Sequence, residues 1–207
     1  PSQIAMVDFT MPKSAFKEFE ASEATLSLNL VNFLKILSRA RTDEQLLLTI
    51  EEKESKCSLE FISPNNKRNV RVPLMDLTAT SAREPKITFD TIIKMRGGTF
   101  KEMLKDAGLL SSHVILSTDA DKFILEAKGD SGDLHIESTK SSPNVAELTI
   151  NAKSRAMFPF EYLDNITKAC PDDSIIEVNL KTDCPVKIAY SVGQAKLAYY
   201  LAPRVEN

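Results

Sequence analysis

Nothing in the 207-residue sequence approaches the ~18 consecutive apolar residues that a membrane-spanning helix needs. The opening Pro1-Ser2-Gln3-Ile4 has no charged stretch followed by a long apolar one, so no secretory signal is visible. Cysteine is scarce: Cys57, Cys170 and Cys184 are odd in number and irregularly spaced. They make no disulfide framework and predict a reducing, intracellular compartment. There is no excess of positive charge either, since 26 Lys and Arg against 29 Asp and Glu give a net charge of −3. A protein that simply coats nucleic acid would be basic, so that class is disfavoured. A small basic surface on an otherwise acidic molecule is still compatible. The 43% hydrophobic and 27% charged residues are ordinary for a globular protein long enough for one large domain or two small ones.

Patterns that carry chemistry are equally sparse. His113 and His135 lie in strand-like segments, and no cysteine or histidine pair has zinc-site spacing, so both read as structural or surface residues. Asp119 and Asp121 flank Ala120 and fit a hairpin turn before Lys122 better than a cation site. Gly97-Gly98 lacks the rest of a phosphate loop and reads as a helix entry. Cys170, beside Pro171, has no local histidine to activate it. No metal, cofactor or catalytic site is expected. A small hydrolase built on carboxylates such as Asp172 or Asp173 would require a cleft of acids with perturbed pKa values. A peptide-binding interaction module of two α+β domains, indifferent to DNA, is the other alternative.

What the sequence does contain is alternation. Residues 23–28, 46–51, 57–62 and 122–127 alternate apolar and polar side chains, as half-buried strands do. Turn residues punctuate them at Ser63-Pro64-Asn65-Asn66, at 129–133 and at Pro171-Asp172-Asp173. Short strands joined by hairpin turns predict antiparallel sheets, hence an α+β fold. Three segments have helical spacing. Residues 29–40 are expected to bury Leu30, Phe33, Leu34 and Leu37, and to expose Asn32, Lys35 and Arg39. Residues 99–107 should bury Phe100, Met103 and Leu104, and expose Lys101 and Lys105. Residues 160–169 should bury Leu163 and Ile166, and expose Glu161, Asp164 and Lys168.

The first and third helices repeat. At an offset of about 130 residues, Leu30, Phe33 and Ile36 meet Phe160, Leu163 and Ile166. The following strand continues the match, with Leu46, Leu48 and Ile50 meeting Ile176, Val178 and Leu180. Two domains of similar fold are therefore expected. The second copy is preceded by a helix and several strands, the first only by residues 4–11. With an opening at Pro1 rather than methionine, the asymmetry predicts an incomplete first domain. The boundaries read as a first domain over 1–73, a connector over 74–89 and a second domain over 90–207.

Three segments resemble the proliferating cell nuclear antigen family of sliding clamps. They are Leu74-Met75-Asp76-Leu77 with Ile92-Ile93-Lys94-Met95; the ending 197–206, with its Tyr199-Tyr200-Leu201-Ala202-Pro203; and residues 2–8, similar to a partner-binding loop. The resemblance runs along the whole chain and lacks only the family's opening strand-helix-strand of ~30 residues. It implies two similar clamp domains per subunit and three subunits in a ring. The sheets would lie outside, and short helices would line the hole. Such a clamp encircles duplex DNA without reading sequence and recruits DNA polymerase, nuclease, ligase and clamp loader through short peptides. The missing acidic tail looks archaeal, implying a cytoplasmic, nucleoid-associated protein, or a nuclear one in a eukaryote. Homotrimer and heterotrimer both stay open.

By spacing alone, Lys35, Arg39, Lys101, Lys105 and Lys168 are ordinary solvated positions. The resemblance makes Lys35, Lys105 and Lys168, which match basic positions of the family, DNA-facing; Arg39 and Lys101 join the set as candidates from the helix faces, and Glu102 and Glu161 weaken the positive field. It also implies a partner-peptide pocket of Gln3, Met6, Ala82, Glu84, Pro85, Phe89, Pro185, Tyr200, Ala202, Pro203 and Val205. Gln3, Ala82 and Glu84 depart from the family pattern and suggest a shallower pocket. Subunit contacts would join two edge strands, one with Asn69, Val70, Arg71 and Val72, the other with Asp133, Leu134, His135 and Ile136.

Overall fold

A computed structural model of the chain describes residues 4–76 and 84–204. Gln3, Ala82 and Val205 lie outside the described residues. The fold is α+β, as the alternation predicts, with thirteen strands and three short α-helices in the described part. All named strand pairs are antiparallel. The residues form two compact units, one of 1–19 with 82–207 and one of 20–81.

The larger unit holds two sheets. The first has the order β1-β13-β12-β11-β5-β9, from β1 (Ala5–Thr10), β13 (Ala195–Leu201), β12 (Val186–Val192), β11 (Ile175–Leu180), β5 (Thr91–Arg96) and β9 (Val145–Ile150). The second has the order β10-β6-β7-β8, from β10 (Arg155–Pro159), β6 (His113–Asp119), β7 (Lys122–Gly129) and β8 (Gly132–Thr139). The N-terminal strand β1 thus belongs to the larger unit's sheet. Two helices pack on each other, α2 (Gly97–Gly108) and α3 (Phe160–Thr167). Between these layers lie Ile93, Val178 and Ile188 of the first sheet, Leu116, Phe123 and Leu125 of the second, and Phe100, Leu104 and Leu163 of the helices, all buried. A buried hydroxyl cluster ties β5 to β6: Thr91 Oγ1 lies 3.3 Å from Thr118 Oγ1 and 3.2 Å from Ser154 Oγ. Leu104 is fully enclosed. Leu104→Ala is expected to cost about 2–5 kcal/mol in denaturant unfolding, because the packed surround cannot collapse into the space. An unchanged midpoint would mean that α2 does not seal this core.

Helix α2 begins at Gly97 because the loop before β11 crowds its first turn. Gly97 N donates to Ser174 O at 2.8 Å and Gly98 N to Asp172 O at 3.0 Å. A Cβ on Gly97 would stand 2.7 Å from both Cys170 Sγ and Pro171 O. The amides that could have held an anion are thus already satisfied, and the glycine pair is a helix entry.

The smaller unit holds α1 (Leu30–Leu37) and the sheet β2-β3-β4, from β2 (Gln45–Glu51), β3 (Lys56–Ser63) and β4 (Asn66–Pro73). Its small core is Cys57, Leu59, Phe61 and Val72, with Phe33, Ile36 and Leu37 of α1 packed against it. Arg68 pins one end, its guanidinium 2.6 Å from Glu44 and 4.8 Å from the Phe61 ring centre. The repeat is real in the secondary structure. α1 and α3 start at 30 and 160 and end at 37 and 167, and β2 and β3 are followed at the same offset by β11 and β12.

Four expectations need correction here. Residues 23–28 form no strand; Ser27 O accepts one bond from Met75 N, 2.8 Å away, and no ladder follows. Helix α1 stops at Leu37, with Asn29 as its cap, so Arg39 lies beyond the helix. Leu30 and Leu34 are not buried but 62% and 54% exposed, and Leu46 and Leu48 of β2 are exposed as well. In the second copy the matching strand β11 is covered on that edge by β5, whereas β2 has no strand on its outer edge among the described residues. Lys101, expected outside, is folded back onto the loop before β11, with 19% of its side chain exposed.

Candidate functional site: a sheet face, two open edges and a set of helix lysines

The outward face of the six-stranded sheet follows from its register. Alternation sends Val186, Ile188 and Tyr190 inward, which leaves Lys187 and Ala189 facing out. Cross-strand pairing places Lys187 beside Tyr200 and Asn179, and Tyr200 beside Met6. The irregular segment 84–89 lies in front of this row. Together they enclose a cavity of about 430 Å³ lined by Glu84, Pro85, Phe89, Asn179, Lys187 and Tyr200, among others. The Tyr200 hydroxyl donates to the Glu84 carboxylate, whose Oε1 is 3.2 Å from Lys187 Nζ. The same ammonium stands 5.3 Å above the Tyr200 ring. The phenol hydrogen bond and then Lys187 hold the Glu84 carboxyl below its ordinary range, while burial first and the Glu84 carboxylate second push Tyr200 upward.

Of the residues assigned to a partner pocket, Glu84, Pro85, Phe89 and Tyr200 come together, with Met6 next to Tyr200 on the same face. Pro185, Ala202 and Pro203 do not line the cavity; they flank the paired ends of β12 and β13, where Ala202 N donates to Ile4 O at 2.8 Å. Sequence reading missed Lys187. The signal was there, in Val186-Lys187-Ile188, but only cross-strand register shows what the lysine stands beside.

The two strands assigned to subunit contacts are both sheet edges. β4 ends the three-stranded sheet and β8 ends the four-stranded one. On β4, Lys67, Asn69 and Arg71 are exposed, Val70 is half-buried and Val72 is buried in the core, so Val72 offers only backbone to a neighbour. On β8, Asp133, His135 and Glu137 are exposed and Leu134 and Ile136 pack inward. The exposed charges of β4 itself are basic and those of Asp133 and Glu137 on β8 acidic, with in-chain partners in Glu60 for Lys67, Glu51 for Arg71 and Lys122 for Glu137. His135 lies between carboxylates, Nδ1 3.1 Å from Glu126 and Nε2 3.2 Å from Glu137, and these hydrogen bonds, Glu137 first, raise its pKa. His113 is lowered, by burial and then by Arg204. Proton titration followed by magnetic resonance should therefore find His135 above the ordinary histidine value and His113 below it. The reverse order would contradict both environments. Because its folded value is raised, His135 contributes stability that is full below the unfolded value and lost as pH rises through the folded one.

The helix lysines are largely neutralised within the chain. Lys101 pairs with Asp172 and donates to Cys170 O at 2.8 Å; Lys105 lies 2.7 Å from Glu102; Lys168 lies 2.7 Å from Asn165 and 3.3 Å from Asp164. Lys35 and Arg39 are exposed and have no ion-pair partner among the described residues. No group of three or more metal-ligating side chains gathers among the described residues, and none of their helices is long and apolar enough to cross a membrane.

Comparisons with known proteins agree with this geometry. Residues 1–82 match the family described as proliferating cell nuclear antigen, N-terminal domain, and residues 83–205 match its C-terminal domain. A DNA polymerase sliding clamp of Methanococcus maripaludis is 35% identical over all of this chain and 84% of its own length. One from Thermococcus gammatolerans is 28% identical over all of this chain and 83% of its own. Among solved structures, A. fulgidus PCNA bound to the C-terminal region of FEN-1 is 28% identical, with a TM-score of 0.88 over 100% of this chain and 83% of that one. The chain belongs to the proliferating cell nuclear antigen family of DNA sliding clamps.

Proposed function

We propose that three subunits of this kind close into a ring around duplex DNA, and that the ring recruits polymerase, nuclease, ligase and clamp loader through short peptides. The observation that carries the assembly is that β4 and β8, two of the strands that end a sheet, are unpaired on their outer sides among the described residues. β4 presents Lys67 and Arg71, β8 presents Asp133 and Glu137, and unpaired backbone of opposite charge is suited to head-to-tail strand addition. Self-complementary edges favour a ring of identical chains. The duplicated domains are taken as 1–73 and 90–207, joined by 74–89.

Duplex contact is assigned to Lys35, Arg39, Lys105 and Lys168, with Lys101 contributing field rather than a free ammonium. The neutralising acids make this contact weak and sequence-independent, which suits sliding. The role is structural rather than catalytic. Lysine neighbours lower Asp119, Glu137, Glu147 and Asp172, so these acids are ionised rather than poised as proton donors. We assign it a cytoplasmic, nucleoid-associated location, a reading that its archaeal relatives support. Light scattering tests the assembly: a mass three times the 23.0 kDa chain supports it. A monomer at every concentration, alone and with sister subunits, would overturn it.

A further inference from the structure

We infer that the peptide-docking face selects partners carrying a carboxylate beside their apolar anchors, which replaces Glu84 on Lys187 and Tyr200. This rests on the peptide-docking reading above and deepens it. Lys187 and Tyr200 sit on directly paired strands inside the six-stranded sheet, so their relative placement is fixed. Glu84 belongs to the irregular segment 84–89. In the described residues that segment keeps one backbone bond within itself, Ile87 N to Pro85 O at 3.1 Å, and accepts one from Lys181 Nζ at Thr88 O, 3.3 Å away. Among the described residues, Glu84 is held by its side chain, on Tyr200 and Lys187.

The strand-borne half of the site is therefore a cation and a phenol donor aimed at one point, and a carboxylate from this chain already occupies that point. The other carboxylate on the cavity wall among the described residues, Glu177, has partners of its own. Glu177 accepts from Asn179 Nδ2 at 2.8 Å and faces Lys94 at 3.8 Å. Lys86 adds a further positive charge to the cavity wall. When a peptide displaces the Glu84 side chain, Lys187 keeps its place over the Tyr200 ring and loses that counter-ion. A peptide with only apolar anchors leaves that ammonium unpaired, whereas one with a glutamate restores both the ion pair and the phenol hydrogen bond. Glu84 is then a built-in competitor that sets the threshold for binding.

The test uses two synthetic peptides with the same aliphatic and aromatic anchors on one helical turn, one carrying glutamate beside them and the other glutamine. On the unaltered protein, calorimetry should give about tenfold tighter binding of the glutamate peptide, the usual scale of a charge-assisted contact. Glu84→Gln should tighten that peptide several-fold, and Lys187→Met should bring the two peptides to the same affinity. Both side chains face outward, and circular dichroism confirms the fold of each variant. Equal binding of the two peptides, a preference that survives Lys187→Met, or no gain in Glu84→Gln would each overturn the inference while leaving peptide docking intact. If neither peptide binds the unaltered protein, the docking reading itself fails.

Discussion

Reversing the charge of a single sheet edge should leave folded chains that no longer assemble. The variant is Lys67→Glu with Arg71→Glu on β4. In the proposed ring the unaltered β4 edge faces a β8 edge bearing Asp133 and Glu137; the reversed one would set acid against acid. Strand pairing itself is indifferent to sequence, so charge decides which edges meet, and like-charge juxtaposition across an interface costs several kcal/mol, enough for ~100-fold or more in affinity. The fold of each chain should survive. Among the described residues Lys67 pairs with Glu60 at 2.7 Å and Arg71 with Glu51 at 3.3 Å, and both lysine and arginine are more than half exposed, where such pairs contribute little. Adding Asp133→Lys and Glu137→Lys to the same chain makes β4 acidic and β8 basic. That fourfold variant should assemble with itself again and refuse the unaltered chain. Light scattering of each variant decides the matter. A single-edge variant that assembles like the parent would show that these strands are not the contact.

Tyr200→Ala should weaken binding of a partner peptide by about 2–4 kcal/mol, the loss typical of a central aromatic anchor. The side chain is only 4% exposed, yet it is the floor of the outward cavity and carries both the Lys187 ammonium and the hydrogen bond to Glu84. Removing the ring takes away the floor and leaves Lys187 without its aromatic support. Tyr200→Phe separates the two roles. It keeps the ring, loses the hold on Glu84 and should preserve most of the affinity. Because Tyr200 lies on a central strand, thermal melts must accompany the titrations. Unchanged affinity in a folded Tyr200→Ala protein would remove this residue from the site.

Much of this architecture was legible in the sequence, for a physical reason. Side-chain period reports which face of an element is apolar, and a period of 3.6 followed by a period of 2, repeated 130 residues on, marked α1 with β2 and α3 with β11. Edge strands β4 and β8 were legible because hairpin turns at 63–66 and 129–133 bound them. Period does not report what covers an apolar face. Leu30 and Leu34 have the same pattern as buried residues of α3, yet they lie open because nothing among the described residues packs on that side of α1. Residues 23–28 alternate like a strand but have no partner strand to complete a ladder.

The site was legible in part. Tyr200, Glu84, Pro85 and Phe89 came from the resemblance, and the structure gathers them. Lys187 was invisible because its meaning is a cross-strand neighbour more than ten residues away, and a lone lysine in a strand reads as solvated. The helix lysines show the converse limit. Their spacing gave the correct surface for Lys105 and Lys168, but Lys101 has a partner, Asp172, that no local pattern connects to it.

Retention on DNA of different topology tests the encircling ring most directly. The clamp is loaded on nicked circular duplex, washed at a salt concentration of about 1 M, where surface contacts are screened, and assayed before and after the circle is cut once. Retention on the closed circle, with loss on cutting, is the predicted result, since weak lysine contacts cannot hold the protein but a closed ring can. Equal loss from circle and line, or equal retention on both, would contradict encirclement.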